Sequence, residues 1–563
     1  MSGAAAPVDV HGADGGGSVV DPSGGVPGRP VPAPRRGPHP TVWWATALVG
    51  LLGALWSVVV PQMRAPDEAA HVDLVMHLAE GSGYPSYDGR YIGAEVGLAA
   101  KRYLADSRHR WPRFDAADAP ARGRRPGVDD LGGTAPDPRA RPPDARRPDH
   151  PYVYNQMPQH PPLYYLAMAG VVRLERALLP GDRPPLDREV GLLRLVDVVL
   201  VLPLPILAWS TVVRLGGSES AAAAASLLPL GVPQLLHVAG SVNNDNLLVL
   251  LGGSLAPLVV AVGRGARTRR TDLAVGLLLA LALLTKAFAV MYLPWVAAAY
   301  LVGAWTTRRL RDAAAGLGVA TALAGVGGAW WVANLVREGQ VAPTTETLTR
   351  TVDDRPAGFT ADAVAFAWTF AGRLASRTWA WVGYRTPKFE LPPLVVGVLS
   401  VAVVVATVAA VRSAAPGRDP AGGPRRVDAV LAWAPLGLVV AFVAKRAWGL
   451  YETTGMLAFI QGRYLFSVLV PPLATVALGL HRLLGRRCPA AVLVVAVTLQ
   501  AWMLVDVLRG AWRGPGRWGA VRGMLAWSPW PTGGVLLVAA ATGLAVLLTA
   551  RSTVGGGLRR RAA

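Results

Sequence analysis

Cysteine is all but missing from this sequence: Cys488 is the only one in 563 residues. That excludes an intramolecular disulfide and any cysteine-built metal cluster, so an extracytoplasmic loop must hold together by packing. Charge is also scarce, at 16% of residues against 52% hydrophobic, well below the roughly one quarter of a soluble domain. Lysine is scarcest, with four among 56 basic residues. The arginines that make up the rest lie in connections between apolar blocks and form no basic face with interleaved aromatics. The net charge of +20 therefore does not indicate a nucleic-acid partner. What is present is a series of long apolar blocks and a mean hydropathy of +0.35, the composition of an all-α polytopic membrane protein.

Residues 1–41 are rich in Gly, Pro, Ala and Ser and cannot bury enough apolar surface to offset the entropy of ordering, which predicts a disordered cytoplasmic tail. The run behind it, 42–60, is too long for a signal-peptide core and lacks a small-residue cleavage site, so it reads as an uncleaved first span. Further spans of about 20 apolar residues fall at 191–213, 219–240, 246–263, 272–285, 287–304, 312–333, 391–411, 429–444, 464–481, 489–508 and 533–550, about twelve in all. If the first span runs outward, every short cytoplasmic connection carries Arg, as the positive-inside rule requires. Both termini are then cytoplasmic, the latter as a basic tail over 551–563.

Two connections are long. Residues 61–190 form a first external loop and 334–390 a second, which contains AVAFAWTFAGRLASRTWAWVGY, an amphipathic helix suited to the membrane surface. Within the first, PPLYYLAMAGVV (161–172) is apolar for too short a run to span and is placed at the outer surface, and 101–149 reads as flexible. The spans at 391–550 form a C-terminal group.

With this topology, the polar residues that interrupt apolar sequence gather on the outer side. Asp67, Glu68 and His71 follow the first span in PDEAAH; His160 stands in HPPLYY; Asn244 and Asp245 stand in SVNND; Lys286 in LLTK; Gln461, Arg463 and Tyr464 in QGRYLF. Each has a structural reading: the acids as a helix cap, NND as a turn, Lys286 and Arg463 as boundary anchors. Ionisable groups at membrane depth are nevertheless costly and face a cavity or a partner, and their convergence at one level predicts a single polar site.

These motifs, in this order over residues 42–485, resemble the GT-C membrane glycosyltransferases, in particular the bacterial relatives of protein O-mannosyltransferases and aminoarabinose transferases (family 39-like). The resemblance implies a GT-C-like transmembrane catalytic module over 42–333. It implies a polyprenyl-phosphate sugar donor taken from the bilayer, an acceptor hydroxyl on a glycan, lipid or protein, and transfer at the outer face of the cytoplasmic membrane. It also implies Asp67 as catalytic base with Glu68 beside it, Asp245 with Asn244 as a second acidic site, and Lys286, Arg463 and His160 at the donor phosphate, supported by His71, Gln461 and Tyr464. Gln159–His160 departs from the acidic-basic pair of some relatives, so a divalent metal is compatible with the sequence but not required by it. A carboxylate base with cations at the leaving phosphate suits direct, inverting displacement. The reading from a different class is a multi-span transporter or lipid-linked sugar flippase, which also uses buried ionisable groups.

Overall fold

Residue patterning at helix ends accounts for most of the architecture. In the computed structural model, residues 37–103, 113–119, 155–179, 181, 183–343, 358–383, 389–419 and 423–555 are described. Most of the expected tails (1–36 and 556–563) and most of the arginine-rich stretch (104–112 and 120–149) lie outside them. Helix α1, Pro40–Val59, opens with Pro in its first turn and with the His39 ring accepting from Thr41 N, and ends before Pro61, which cannot continue a helix. Helix α2, Glu68–Ala79, and α3, Ala94–Tyr103, lie in the long connection between the first two apolar spans. Helix α4, Leu163–Leu178, packs on α2 and is not among the helices long enough to span, as its short apolar run leads one to expect.

Helices α5 (Leu186–Val201) and α6 (Leu204–Arg214) together make one apolar span. Helix α7, Glu219–Leu227, is capped by the Ser218 side chain. It reaches α8, Pro233–Ala239, through a turn containing Pro229 and Gly231, and the pair is bent by 68°. Helices α9 (Asp245–Gly263), α10 (Arg269–Leu283), α11 (Tyr292–Thr307) and α12 (Leu310–Glu338) follow. Helix α13, Ala363–Trp379, starts where the Asp362 carboxylate accepts from Val364 N and Ala365 N. Later helices are Pro393–Ser413, Arg426–Thr454, Val470–Leu484, Cys488–Ala511, Gly519–Trp527 and Thr532–Gly555.

Nine of the described helices are long and apolar enough to cross a membrane, or up to ten with the bent pair. The count of about twelve is not reached, for local reasons. The segment expected at 219–240 is broken by prolines, α10 is only 15 residues long, and 470–511 runs as one apolar stretch of 42 residues. The chain is a multi-pass, all-α membrane protein. Its most enclosed span is α9, with 78% of its apolar window buried, whereas Pro393–Ser413 and Thr532–Val554 bury 17% and 22%. The first is the centre of the helix packing, and the other two present apolar side chains outward, where lipid is the matching solvent.

One part of the stretch expected to be flexible is anchored. Phe114–Asp115 pairs in parallel with Trp512–Arg513, and the Phe114 ring packs between Trp512 and Trp527. The Phe114 ring thus finds apolar partners near the C-terminal helices, and Trp527 Nε1 adds a hydrogen bond to the Asp115 carbonyl.

Candidate active site

Four chain turns converge at the end of α1. After Pro66, Asp67 adopts a left-handed backbone (φ 61°), a conformation uncommon for a non-glycine residue and frequent at functional sites. Its carbonyl accepts from Ala70 N and His71 N, so its side chain is left to point away from α2. In SVNND the Asn243 side chain accepts from Asp245 N at 2.9 Å, a local cap that sets Asp245 in the first turn of α9. In LLTK, α10 ends and Lys286 is extended before a 3-10 turn over Ala287–Met291. In QGRYLF, a 3-10 turn over Gly462–Val468 carries Arg463 and Tyr464.

The four charged side chains form a ladder. Arg463 Nη2 donates to Asp67 Oδ2, and Gln156 Nε2 donates to the other Asp67 oxygen at 3.3 Å. Arg463 Nη1 donates to the Pro66 carbonyl at 3.2 Å. Its Nε lies 3.6 Å from Asp245 Oδ2, beyond hydrogen-bonding distance. Lys286 Nζ donates to Asp245 Oδ1 at 2.6 Å and to Asn244 Oδ1 at 3.1 Å. Arg463 Nε and Asn244 Nδ2 are buried donors with no hydrogen-bond partner among the described residues. Buried donors left unmatched are costly; Asp245 Oδ2 is likewise a buried acceptor without a hydrogen-bond partner among the described residues.

Asp67, Lys286, Arg463 and Tyr464, with His71 and His160, line one cavity of about 110 Å³, well beyond the roughly 10–15 Å³ that holds a single water. Asp67 is the one carboxylate on its wall among the described residues. Burial holds the His160 imidazole well below its usual pKa, and Lys286 and His71 add to that. Burial does the same to His71, reinforced by Lys286 and Arg463. Both rings are therefore neutral, and His71 Nδ1 shares a hydrogen bond of 3.0 Å with Tyr165 OH. Burial works against the Arg463 charge, yet Asp67, Tyr464 and Asp245 outweigh it and raise its pKa. Among the described residues no cluster of three or more His, Cys, Asp or Glu side chains gathers in a metal-holding arrangement.

Four of the expected site residues, Glu68, Gln461, Asn244 and Asp245, do not line the cavity. Glu68 points the other way and is fully buried in a forked pair with Arg194, at 2.7 and 2.6 Å, while its Oε1 also accepts from Val242 N. Gln461 contributes its carbonyl to Tyr464 N but does not line the cavity. Asp245 and Asn244 stand just behind the wall, reached through Lys286. Sequence reasoning passed over Arg446, whose guanidinium lies 4.6 Å over the Phe459 ring and which lines the cavity with Phe288 and Trp331. The signal was there: KR closes the apolar run that was ended at 444, and the helix continues to Thr454. Arg194 and Asp197, charges inside the expected span 191–213, were equally legible as members of a buried network.

A family model described as predicted membrane protein (DUF2142) matches residues 50–471. No curated protein matches this sequence. Among solved structures the chain is similar to ArnT from Cupriavidus metallidurans bound to undecaprenyl phosphate, at 15% identity and a TM-score of 0.41, over 91% of this chain and 78% of that one. It is similar to the Archaeoglobus fulgidus oligosaccharyltransferase in the apo form at 11% identity and a TM-score of 0.35, over 91% of this chain and 56% of that one. A third likeness is AglB from Archaeoglobus fulgidus, an archaeal oligosaccharyltransferase in complex with an inhibitory peptide and a dolichol-phosphate, at 12% identity and a TM-score of 0.35, with the same coverage. At 11 to 15% identity these are likenesses of fold alone.

Proposed function

The chain belongs to the family described as predicted membrane protein (DUF2142), and within that membrane setting we propose that it is a glycosyltransferase moving a sugar from a polyprenyl-phosphate donor to an acceptor hydroxyl. The observation that carries this reading is the ladder Asp67–Arg463–Asp245–Lys286, of which Asp67, Arg463 and Lys286 line one cavity. It provides a carboxylate next to cations, the pairing that sugar transfer from a phosphate requires.

Asp67 takes the proton of the acceptor hydroxyl as the acceptor oxygen bonds to the anomeric carbon. The bond from that carbon to the phosphate oxygen breaks on the opposite face, which inverts the centre. The departing lipid phosphate gathers negative charge and is met by Arg463, whose planar fork suits phosphate, and by Lys286 as a point charge. The unmatched donor Arg463 Nε gains a partner when a phosphate oxygen arrives, so binding is favoured over the empty state. Phe288, Phe442 and Trp331 on the cavity wall supply apolar surface for the isoprenoid end. In this reading, residues 42–333 supply the base and Lys286, and Arg463 reaches the same cavity from the C-terminal helices. The cavity faces outward from the cytoplasmic membrane, both termini are cytoplasmic, and the acceptor is a glycan, lipid or protein.

The test uses the full chain purified into lipid, with a panel of radiolabelled polyprenyl-phosphate sugars. Asp67→Asn is expected to keep donor binding and to lose transfer by about a hundredfold or more, the usual size of a missing general base. Arg463→Ala and Lys286→Ala are expected to weaken donor binding by roughly tenfold, since each removes a charge-assisted contact. Undiminished transfer by Asp67→Asn removes it as the base, and a panel in which no donor binds removes the reading itself.

A further inference from the structure

The segment that delivers Arg463 to the cavity has no regular structure of its own. Residues 456–461 form neither helix nor strand, and Phe459 within them has φ 63°, a costly backbone for a bulky side chain that persists only where the surroundings impose it. On the cavity side, the Arg446 guanidinium covers the Phe459 ring. On the other side lies α13 of the second external loop. Arg373 and Arg377 stand one turn apart on one face of that helix. Arg373 Nη1 donates to the Leu457 carbonyl at 3.1 Å, and Arg377 Nη1 donates to the Ile460 carbonyl. Gly462 completes the contact, because a Cβ there would lie 2.2 Å from the Arg377 carbonyl oxygen. Only glycine lets the two backbones meet so closely.

Arg377 is itself fixed. Its guanidinium stacks 3.7 Å above the Trp381 ring, and Trp381 N donates to Gln234 Oε1 of α8 at 2.9 Å. A rigid chain of contacts therefore runs from α8 through Trp381 and Arg377 to the Ile460 carbonyl, three residues before Arg463. The placement of Arg463 is finely set: its Nη2 reaches Asp67, while its Nε stops 3.6 Å short of Asp245. A shift of a few tenths of an ångström decides whether the guanidinium turns to the second carboxylate or keeps Nε for a ligand oxygen.

We propose that Arg377 is a positioning residue for donor binding: by holding the Ile460 carbonyl against α13 it fixes the phosphate-facing guanidinium of Arg463. The role as positioner of a donor-phosphate contact rests on the glycosyltransferase reading, whereas the clamp on 457–464 does not. Through it, the second external loop sets the geometry of a cavity that Arg377 does not line.

The test follows two readouts on the full chain in lipid nanodiscs: amide hydrogen exchange over 457–464, and affinity for undecaprenyl phosphate as the probe. Arg377→Ala is expected to raise exchange in that segment and to weaken the probe by about tenfold or more, the scale on which small misplacements act. Arg377→Lys keeps the charge without the planar stack and is expected to show the same loss; it also serves if Arg377→Ala does not fold. The double variant Arg377→Ala/Arg463→Ala is expected to bind no more weakly than Arg463→Ala alone, because the two act through one group. Parental exchange over 457–464, rescue by lysine, or additive losses each overturn the proposal. If the parent binds no undecaprenyl phosphate, the donor reading fails on its own, and the proposed role in donor binding falls with it, while the exchange measurement still decides whether Arg377 clamps the segment.

Discussion

Asp67 and Glu68 are neighbours with opposite fates. The left-handed turn at Asp67 sends one carboxylate into the cavity and the next into the protein, where Glu68 and Arg194 have no exposed side-chain surface. Arg194 also donates to the carbonyls of Ser57, Val60 and Pro61, so the pair ties α5 to the end of α1 and to the start of α2. Breaking a buried pair leaves an uncompensated charge and costs about 3–5 kcal/mol. Glu68→Gln is therefore expected to lower thermal stability sharply, and Asp67→Asn far less. The readout is thermal exposure of the thiol of Cys488, the single cysteine and a buried one; equal melting of the two variants contradicts the assignment. The buried His71 and the half-buried His160 give a pH dependence of known sign. Both His71 and His160 have folded pKa values well below the ordinary one. As pH falls past about 6.5 the unfolded chain takes up protons that the folded chain refuses, so stability is complete above that pH and declines below it. The Cys488 melting temperature should drop between about pH 7 and pH 5, and drop less in a His71→Gln/His160→Gln variant.

Helices α10 and α12 approach most closely at glycines, and Trp331 Nε1 of α12 donates to the Leu283 carbonyl of α10 at 3.1 Å. A Cβ on Gly327 would lie 2.3 Å from the Ala280 carbonyl oxygen, and one on Gly276 would lie 2.8 Å from that of Ala320. Small residues at such crossings let backbones approach where lipid supplies no hydrophobic drive for association. Gly327→Ala is expected to destabilise by about 1–3 kcal/mol, the cost of overpacking. Gly325→Ala, two residues away with open space around its Cβ, should be near neutral. Equal effects would mean that helix propensity, not the crossing, governs this element. At this scale the helix ends follow chemical punctuation: Pro393 at a helix start, Asp362 and Ser218 as caps, Gly339 and Gly455 as left-handed ends; apolar run length alone placed the spans but not these ends. The sequence was less informative at α7 and α8, where apolar composition continues across Pro229 and Pro233 and conceals a bend of 68°.

At the scale of the whole molecule, convergence was legible before distance was. The order of PDEAAH, SVNND, LLTK and QGRYLF leads one to expect a common site; Asp67, Lys286, Arg463 and Tyr464 line one cavity, while Asn244 and Asp245 of SVNND do not. Which acid faces it was not legible, because adjacent residues share every sequence-level property and part only at a backbone torsion. Nor was the anchoring of residues 113–119, which depends on a meeting between segments about 400 residues apart. There Phe114–Asp115 pairs with Trp512–Arg513, Trp527 Nε1 donates to the Asp115 carbonyl and Trp512 Nε1 to the Val59 carbonyl, both at 2.7 Å. Two tryptophans thus join the end of α1, the loop and the C-terminal helices. A two-residue strand has little stability of its own, so the rings must supply it. Trp512→Ala should accordingly raise amide exchange over 113–119 by about tenfold or more, a local opening, while 457–464, which does not touch this joint, keeps its parental rate. Unchanged exchange over 113–119 would place the anchor in the backbone pairing, and a rise in both segments would make the C-terminal helices a support of the cavity as well as of the loop.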